Sequence, residues 1–545
     1  MAKPVEYYLR RYKTLQEQRM PFDNLWLSEA DYIQPQRSYP FKTNEIQKAN
    51  FESSRANWTK TFDSTAQLAV DIFASSLVGF LANPAMQWFE LAPTDESLLE
   101  VQEVAEWFDI ASKRLLAAFN EPSAKFYSNL KMCAIDLGVF GTVGLMIQEG
   151  SRSMLEFSAR YVKELYVAED ASGNIDTVFR DLLMTPRQMV QKFGIEALSP
   201  ASREKLREKP DELIPIIHVL EPREDAIPGG ESVLDAPISS VYIEKESKTI
   251  LQESGFFEMP LPVARWDVYP NDVYGTSPAV RVLPEIKMLN QMQKTYILAT
   301  EKMLNPPMQM PDDGFLGNID LSPGALNVYR SMSQGRLEPI MTIGNIPFTT
   351  EMLMASHNLV REAFYIDRLQ LAESPQMTAT EVMARTDEKL RLMAPMIGRV
   401  QSELLGPTVE RAFGILYRRS LDMGFENAPF PLPPQILQES GFKIKYVSPL
   451  ERAQRASEAN SIVMFVNSVV PYSQVAPQVL DNLNFDEVVR ELHDIQSVPS
   501  AVLNDRDTVK KIRAQRQQEQ QAQMMLEQMQ QGSEIAKNAN QAGLM

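Results

Sequence analysis

A chain of 545 residues with 44% apolar content can bury a substantial core and should divide into roughly three or four structural regions. Its 71 Asp and Glu against 54 Lys and Arg give a net charge of −17, the opposite of the basic balance of a protein built to grip nucleic acid, which leaves either no such contact or contact in which tight phosphate binding would do harm. Cys133 is the single cysteine, which excludes an intrachain disulfide framework or a cysteine-based metal cluster and points to a reducing compartment.

Met1 to Arg19 carries Arg10, Arg11, Lys13 and Arg19 without the continuous apolar core of a secretory signal, and reads as an amphipathic helix. The longest apolar stretch, Thr65 to Ala82, is broken by Gln67, Asp71, Ser75 and Ser76, short of the ~20 apolar residues of a membrane span; no membrane anchor is expected. The same stretch predicts a helix capped by Asp63 or Ser64, with Leu68, Ile72, Phe73, Ser76 and Phe80 inward, ended by Asn83-Pro84. Trp88, Phe89 and Leu91 form a strand-like run. A helix follows over Leu98 to Phe119, with Val101, Val104, Ala105, Phe108 and Leu115 inward. From Val139 to Phe257 short apolar runs (Gly144 to Ile147, Tyr161-Val162, Val241 to Ile243) alternate with turns such as Asp170 to Asn174, which predicts a mixed α+β region.

Ser277 then offers an N-cap and Pro278 a first helical residue. Pro284 must kink the following helix or mark its true start. Val282, Leu289, Tyr296 and Met303 recur every seven residues with Ile286 between them, a narrow apolar seam suited to packing against parallel or tilted neighbours, although a buried helix in any monomer shows the same spacing. Pro306-Pro307 ends the helix, and Met308 to Phe348 is rich in Pro and Gly turns. A second helix, Glu351 to Leu371, places Leu359, Ala363, Ile366 and Leu369 on one face, and the loop Ala372 to Met377 breaks it. Thr378-x-x-Glu381 is a capping-box pattern ahead of a seam of Met383, Leu390, Met393, Ile397, Val400 and Leu404. Pro395 should kink that helix, and Gly406-Pro407 should interrupt or end it. Ala428 to Pro434 reads as an extended linker between two regions. From Ser448 the pattern is helical, ending in a Gln-rich tail around Met524, Met525, Leu526 and Met529 that is a solvated helix, disordered, or helical only among neighbours.

No chemistry-bearing constellation emerges, and no catalytic, cofactor or metal site is predicted. Gly138-x-x-Gly141-x-x-Gly144 lacks the spacing and the Gly-Lys-Ser/Thr ending of a phosphate cradle, so a packing role is expected. His218, His357 and His493 are far apart in sequence, and Asp312-Asp-Gly314 and Asp170 to Asn174 read as turns. The 28 methionines suit adaptable subunit contacts, and Trp88 and Trp107 suit core or interface anchoring.

The order of Phe62-Asp-Ser-Thr65, Trp88-Phe-Glu-Leu91, Phe140-Gly-Thr-Val-Gly144, Val178-Phe-Arg180, Tyr274-Gly-Thr-Ser-Pro278, Asn305-Pro-Pro307 and Met377-Thr-Ala-Thr-Glu-Val382 resembles the podovirus-type bacteriophage portal (head-to-tail connector) family. The resemblance covers most of the chain and implies a mainly helical α+β portal fold. Its regions would be a wing over 1–276, a first stem helix over 277–306, a clip over 307–350 and a second stem helix over 351–371. A tunnel loop over 372–377, a long wing helix and linker over 378–447 and a helical crown over 448–545 would complete it. It implies twelve copies in a ring at one capsid vertex, with double-stranded DNA passing non-specifically through the channel. It also implies that the seam of Val282, Ile286, Leu289, Tyr296 and Met303 is a subunit interface. Partners would be the large terminase motor, the tail adaptor, and the capsid and scaffolding proteins, in the host cytoplasm during assembly and then in the virion. Glu373, Ser374, Gln376 and Met377 would face the DNA. Lys287, Lys294 and Lys302 could form basic rings in the channel, although solvated or interfacial side chains are the simpler reading. A virion scaffold that never touches DNA, or a soluble enzyme of another type, are the alternatives.

Overall fold

The computed structural model describes residues 3–37, 61–150, 153–227, 230, 232–311, 320, 322–329, 338–339, 347–366, 394–437, 441–447, 449–471, 478, 483–495, 502–504, 508–521 and 523. These fall into two units, Met1–Trp88 with Leu115–Pro429, and Phe89–Arg114 with Phe430–Met545. The stretch 1–276 is thus shared between units, and the linker Ala428 to Pro434 contains the division.

The first unit is organised on a five-stranded antiparallel meander, β4 (Leu165–Glu169), β5 (Ile175–Met184), β6 (Ile214–Pro222), β7 (Ile238–Glu244) and β8 (Thr249–Phe256). Both faces are covered, so its strands are apolar on both sides. One face, with Tyr166, Phe179, Ile217, Val219, Val241 and Ile243, packs under Tyr8, Tyr12 and Leu15 of α1 (Val5–Ile33). The other presents Leu182, Ile214, Ile216 and Tyr242 to Met189 of α5 (Pro186–Phe193) and to Leu198 ahead of α6 (Pro200–Glu208). The turn Asp170 to Asn174 closes the β4–β5 hairpin, with Asp170 Oδ1 accepting from Ser172 N and Asn174 N. α1 is longer than expected from the sequence and runs through Pro21. Arg19, one of the cations that colour the N-terminus, is buried: it donates to Lys163 O, Leu165 O and the Tyr166 hydroxyl and lies 3.7 Å over the Tyr166 ring.

α2 (Thr65–Leu81) starts where predicted but turns a different face inward: Ala66, Ala69, Val70, Phe73, Leu77 and Leu81 are buried, while Leu68 is exposed. Its alanines let it approach α4 (Phe126–Phe140), where Gly138 leaves room for the Phe73 ring. A Cβ on Gly138 would sit 3.0 Å from that ring. A second sheet, β3 (Leu155–Arg160), β2 (Thr142–Glu149) and β9 (Val263–Arg265), follows α4. Helical residues 394–400, a π-helical turn at Gln401–Leu405 and α9 (Gly406–Asp422) form one continuous run, so Gly406-Pro407 interrupts the regular helix without ending it. Ile397, Val400 and Leu404 of the predicted seam are buried there.

In the second unit β1 (Phe89–Pro93) pairs antiparallel with β13 (Phe442–Tyr446), Phe89 opposite Tyr446. α3 (Gln102–Asn120) begins in this unit, where Trp107 Nε1 donates to Pro431 O at 3.0 Å; Val101, expected inward, is exposed. α10 (Pro449–Val469), α11 (Phe485–Ile495) and a helix over 508–521 complete it, with Arg513 paired to Asp486.

Candidate functional site: a helical hairpin on a glycine crossing

α7 (Pro278–Leu304) and α8 (Pro347–Ala363) pack together as a hairpin. Ser277 caps α7 by accepting from Val280 N at 3.0 Å, and Pro278 sits where its missing N–H costs nothing. Pro284 lies inside α7, so the helix passes through it. α8 ends at Ala363, where Tyr365 adopts a left-handed backbone. Its buried stripe is Leu353, Ser356 and Val360; Leu359 points to solvent instead of inward, and Phe364 and Ile366 are buried beyond the helix.

Two of the short motifs meet at the foot of this hairpin. Gly141 ends α4 in a left-handed turn (φ 71°), and its carbonyl accepts from Trp266 N. Gly275 crosses directly over it. A Cβ on Gly275 would run into Gly141 O, and one on Gly141 would lie 2.6 Å from Gly275 O. Thr142 Oγ1 accepts from Gly275 N at 2.8 Å. Only glycine permits this backbone approach at both positions, so Phe140-Gly-Thr and Tyr274-Gly-Thr form one joint. Aromatic rings wedge it: Tyr274 lies edge-on to Trp26, whose Nε1 donates to Phe140 O, and Phe73 meets Trp266 and Phe364.

Charged groups tie the joint to its surroundings. Glu29 of α1 is 0% exposed and accepts from the Ser277 hydroxyl at 2.7 Å, so a buried carboxyl holds the cap of α7. Burial holds that carboxyl well above the usual carboxylate range despite the hydroxyl. Arg265, beside the crossing, donates to Glu403 in the π turn (2.8 Å from Nη2), to Glu169 and to the carbonyls of Gly173 and Val273. Arg281 pairs with Asp267 at 2.6 Å, and His357 with Asp63 at 3.0 Å.

The predicted seam divides along α7. Val282, Ile286 and Leu289 are buried within the chain's own unit, whereas Tyr296 and Met303 are exposed. In that outer half Tyr296, Ile297, Leu298, Met303 and Leu304 are all open to solvent, and residues 291–304 hold only Lys294, Glu301 and Lys302 as charges. Lys294 lies over the Phe62 ring and Lys287 over the Tyr32 ring. Beyond the hairpin β10 (Met308–Pro311) pairs parallel with β11 (Leu326–Tyr329) and antiparallel with β12 (Glu338–Pro339), a small sheet inside the turn-rich stretch. Glu373, Ser374, Gln376 and Met377, with Leu369 and the capping box at Thr378 and Glu381, lie outside the described residues. The glycine joint and Glu29 were not singled out as a site from the sequence; the signal available was the repeated Gly-Thr pair at Gly141-Thr142 and Gly275-Thr276.

Among the described residues no group of His, Cys, Asp and Glu is placed to hold a metal ion, and no helix is long and apolar enough to cross a membrane. His218 is a core residue of the meander, its Nε2 3.0 Å from Ser240 Oγ. What is built here is a helical hairpin seated on a tight glycine crossing, with an apolar outer half. Over 528 residues, 95% of this chain and 92% of the relative, it is 28% identical to the portal protein of Salmonella phage epsilon15. It is also 28% identical over 539 residues, 97% of the chain and 94% of the relative, to the probable portal protein of Bordetella phage BPP-1. The profile described as "Bacteriophage head to tail connecting protein" matches residues 6–503, and the chain belongs to that family.

Proposed function

We propose that the chain is the structural portal of a short-tailed phage, twelve copies closing into a ring at one capsid vertex through which DNA is packaged and ejected. The observation that supports this reading most is the apolar outer half of α7. Five large apolar side chains stand exposed there on a stretch with few charges, a surface that a lone soluble chain rarely tolerates and that a neighbour would cover. A heterologous contact of this kind closes into a ring when its rotation permits.

In this assignment α7 and α8 are the stem, the sheet of β10 to β12 the clip that meets the terminase motor and then the tail adaptor, and the helices after Pro449 the crown. Residues 372–377 form the tunnel loop, with Glu373, Ser374, Gln376 and Met377 toward the DNA. The capsid and scaffolding proteins are the portal's further partners. A chain of net charge −17 suits a wall along which DNA slides, because each added Lys or Arg contact to phosphate would be a salt-sensitive trap. The role calls for no catalytic group. Electron microscopy and light scattering of the purified protein test it: closed rings of twelve are expected, and a monodisperse monomer under all assembly conditions would overturn it.

A further inference from the structure

One row of the meander carries an unusual concentration of positive charge. Arg180 on β5, His218 on β6 and Tyr242 on β7 are direct cross-strand neighbours and share a sheet face. The His218 ring stacks on Tyr242, centroids 3.9 Å apart and planes within 4°. Lys192, in the last turn of α5, donates from Nζ to the Tyr242 hydroxyl at 2.7 Å and lies 4.0 Å from the ring centroid. Arg160, the last residue of β3, completes the group from a different sheet.

Elsewhere among the described residues buried and half-buried cations meet carboxylates: Arg265 has Glu403 and Glu169, Arg411 and Arg418 share Glu258, and Arg11 meets Glu221. Here only Arg180 does, through Glu164 at 3.0 Å. Among the described residues no carboxylate forms an ion pair with Arg160 or Lys192, in a chain where Asp and Glu outnumber Lys and Arg by 71 to 54. Two polar atoms are also left over: Arg160 Nε and His218 Nδ1 are buried without a hydrogen-bond partner. His218 is 0% exposed. Buried polar atoms ordinarily have a hydrogen-bond partner, and these two lie in the same group of cations.

The electrostatics run the same way. Desolvation, then Arg180 and Arg160, bring Lys192 down to about 8; desolvation and then Arg180 bring Arg160 down to about 10. Burial and the three cations hold His218 well below its ordinary range, so it is neutral near pH 7. A site whose own charges repel one another is relieved by an anion. Three cations and a phenol, supplied by four elements, match the several oxygens of a tetrahedral oxyanion better than the two of a planar carboxylate. Lys192 is exposed and Arg160 half-buried, so the cluster opens to solvent.

We propose that Arg160, Arg180 and Lys192, with the Tyr242 hydroxyl, form a binding site for a phosphate group. The site does not depend on the ring or channel assignment. The phosphate comes either from free inorganic phosphate or from a nucleic-acid backbone.

The test uses the full-length protein, titrated with inorganic phosphate at constant ionic strength set by chloride and read by calorimetry. Lys192→Gln and Arg160→Gln are compared with wild type after circular dichroism confirms that they fold. Saturable binding that weakens about tenfold in either variant is expected, since each removes a charge-assisted contact. Wild-type affinity should also fall as pH rises through about 8, as Lys192 loses its proton among Arg160, Arg180, His218, Tyr242 and the nearby Glu156 and Glu164. Displacement of bound phosphate by a short DNA duplex would identify the backbone as the source; binding of phosphate without displacement would identify the free ion. Absence of saturable binding, equal affinity in wild type and both variants, or tighter binding of a glutamate-rich peptide than of phosphate would overturn the proposal.

Discussion

Replacing Leu298 by Asp and, separately, Leu289 by Ala should break different things, although both leucines belong to α7. Leu289 is 1% exposed within the single chain. Truncating such a residue costs ~2–5 kcal/mol, a large part of the ~5–15 kcal/mol that holds a domain folded. Leu289→Ala should therefore lower the urea midpoint of the dissociated subunit. Leu298 is 47% exposed, and a surface change of this kind stays within about 0.5 kcal/mol for the subunit itself. In a ring, the same change would lose roughly 1 kcal/mol of apolar burial and strand a carboxylate at a further ~1–3 kcal/mol, at every interface. Leu298→Asp should accordingly leave the subunit's urea curve unchanged and abolish rings in sedimentation velocity and electron microscopy. Normal rings from Leu298→Asp would refute the assignment of this face to a neighbouring copy. An unshifted urea midpoint for Leu289→Ala would refute the division of the seam into a buried and an exposed half.

Gly275→Ala forces a methyl group into Gly141 O and should destabilise the subunit by ~1–3 kcal/mol, read as a lowered midpoint in urea. Glu29 has its folded pKa raised above the ordinary 4.5, so its contribution is fully present below pH 4.5 and declines as pH rises toward the folded value. Glu29→Gln keeps a neutral, hydrogen-bonding side chain, and the wild type should lose stability relative to this variant as pH is raised from 4 to 7; a constant difference across that range would show that Glu29 ionises normally. Deleting 372–377 should leave rings intact by electron microscopy while lowering the DNA packaged or retained per particle, and unchanged packaging would remove that loop from the channel.

Local chemistry was legible in the sequence where it acts locally. Ser277-Pro278 specifies a helix start through a hydroxyl acceptor and a preset φ, and the helix starts there. Asp170 to Asn174 makes its turn through a carboxylate acceptor and a glycine at positive φ. Periodicity identified apolar residues but not what covers them. The seven-residue spacing of Val282, Leu289, Tyr296 and Met303 is continuous, yet its first part is covered by the same unit and its last part is open. On α2 the bulky residues suggested one face, but Ala66 and Ala69 define another because small residues set how closely two helices approach. The pairing of β1 with β13 joins segments some three hundred and fifty residues apart. Phe442-Lys-Ile-Lys-Tyr446 does alternate apolar and basic residues, so a strand there was readable even though its partner was not.

Two of the motifs that carry the family resemblance, Phe140 to Gly144 and Tyr274 to Pro278, support the hairpin. Gly141 and Gly275 cross without side chains, Tyr274 wedges the joint, and Ser277 caps α7 against Glu29. Each of these jobs accepts few residue types, because a backbone approach, a ring-to-ring fit and a buried hydrogen bond all depend on shape at the scale of one atom. A wall along which DNA slides is under the opposite demand, since any residue that does not hold phosphate will serve. Short, recognisable motifs therefore mark how the hairpin is held in place, whereas a loop that only has to avoid holding phosphate, the role proposed for 372–377, needs no fixed residue type. It follows that substitutions at Gly141 or Gly275 should be punished through folding, whereas single substitutions within 372–377 that add no positive charge should be tolerated.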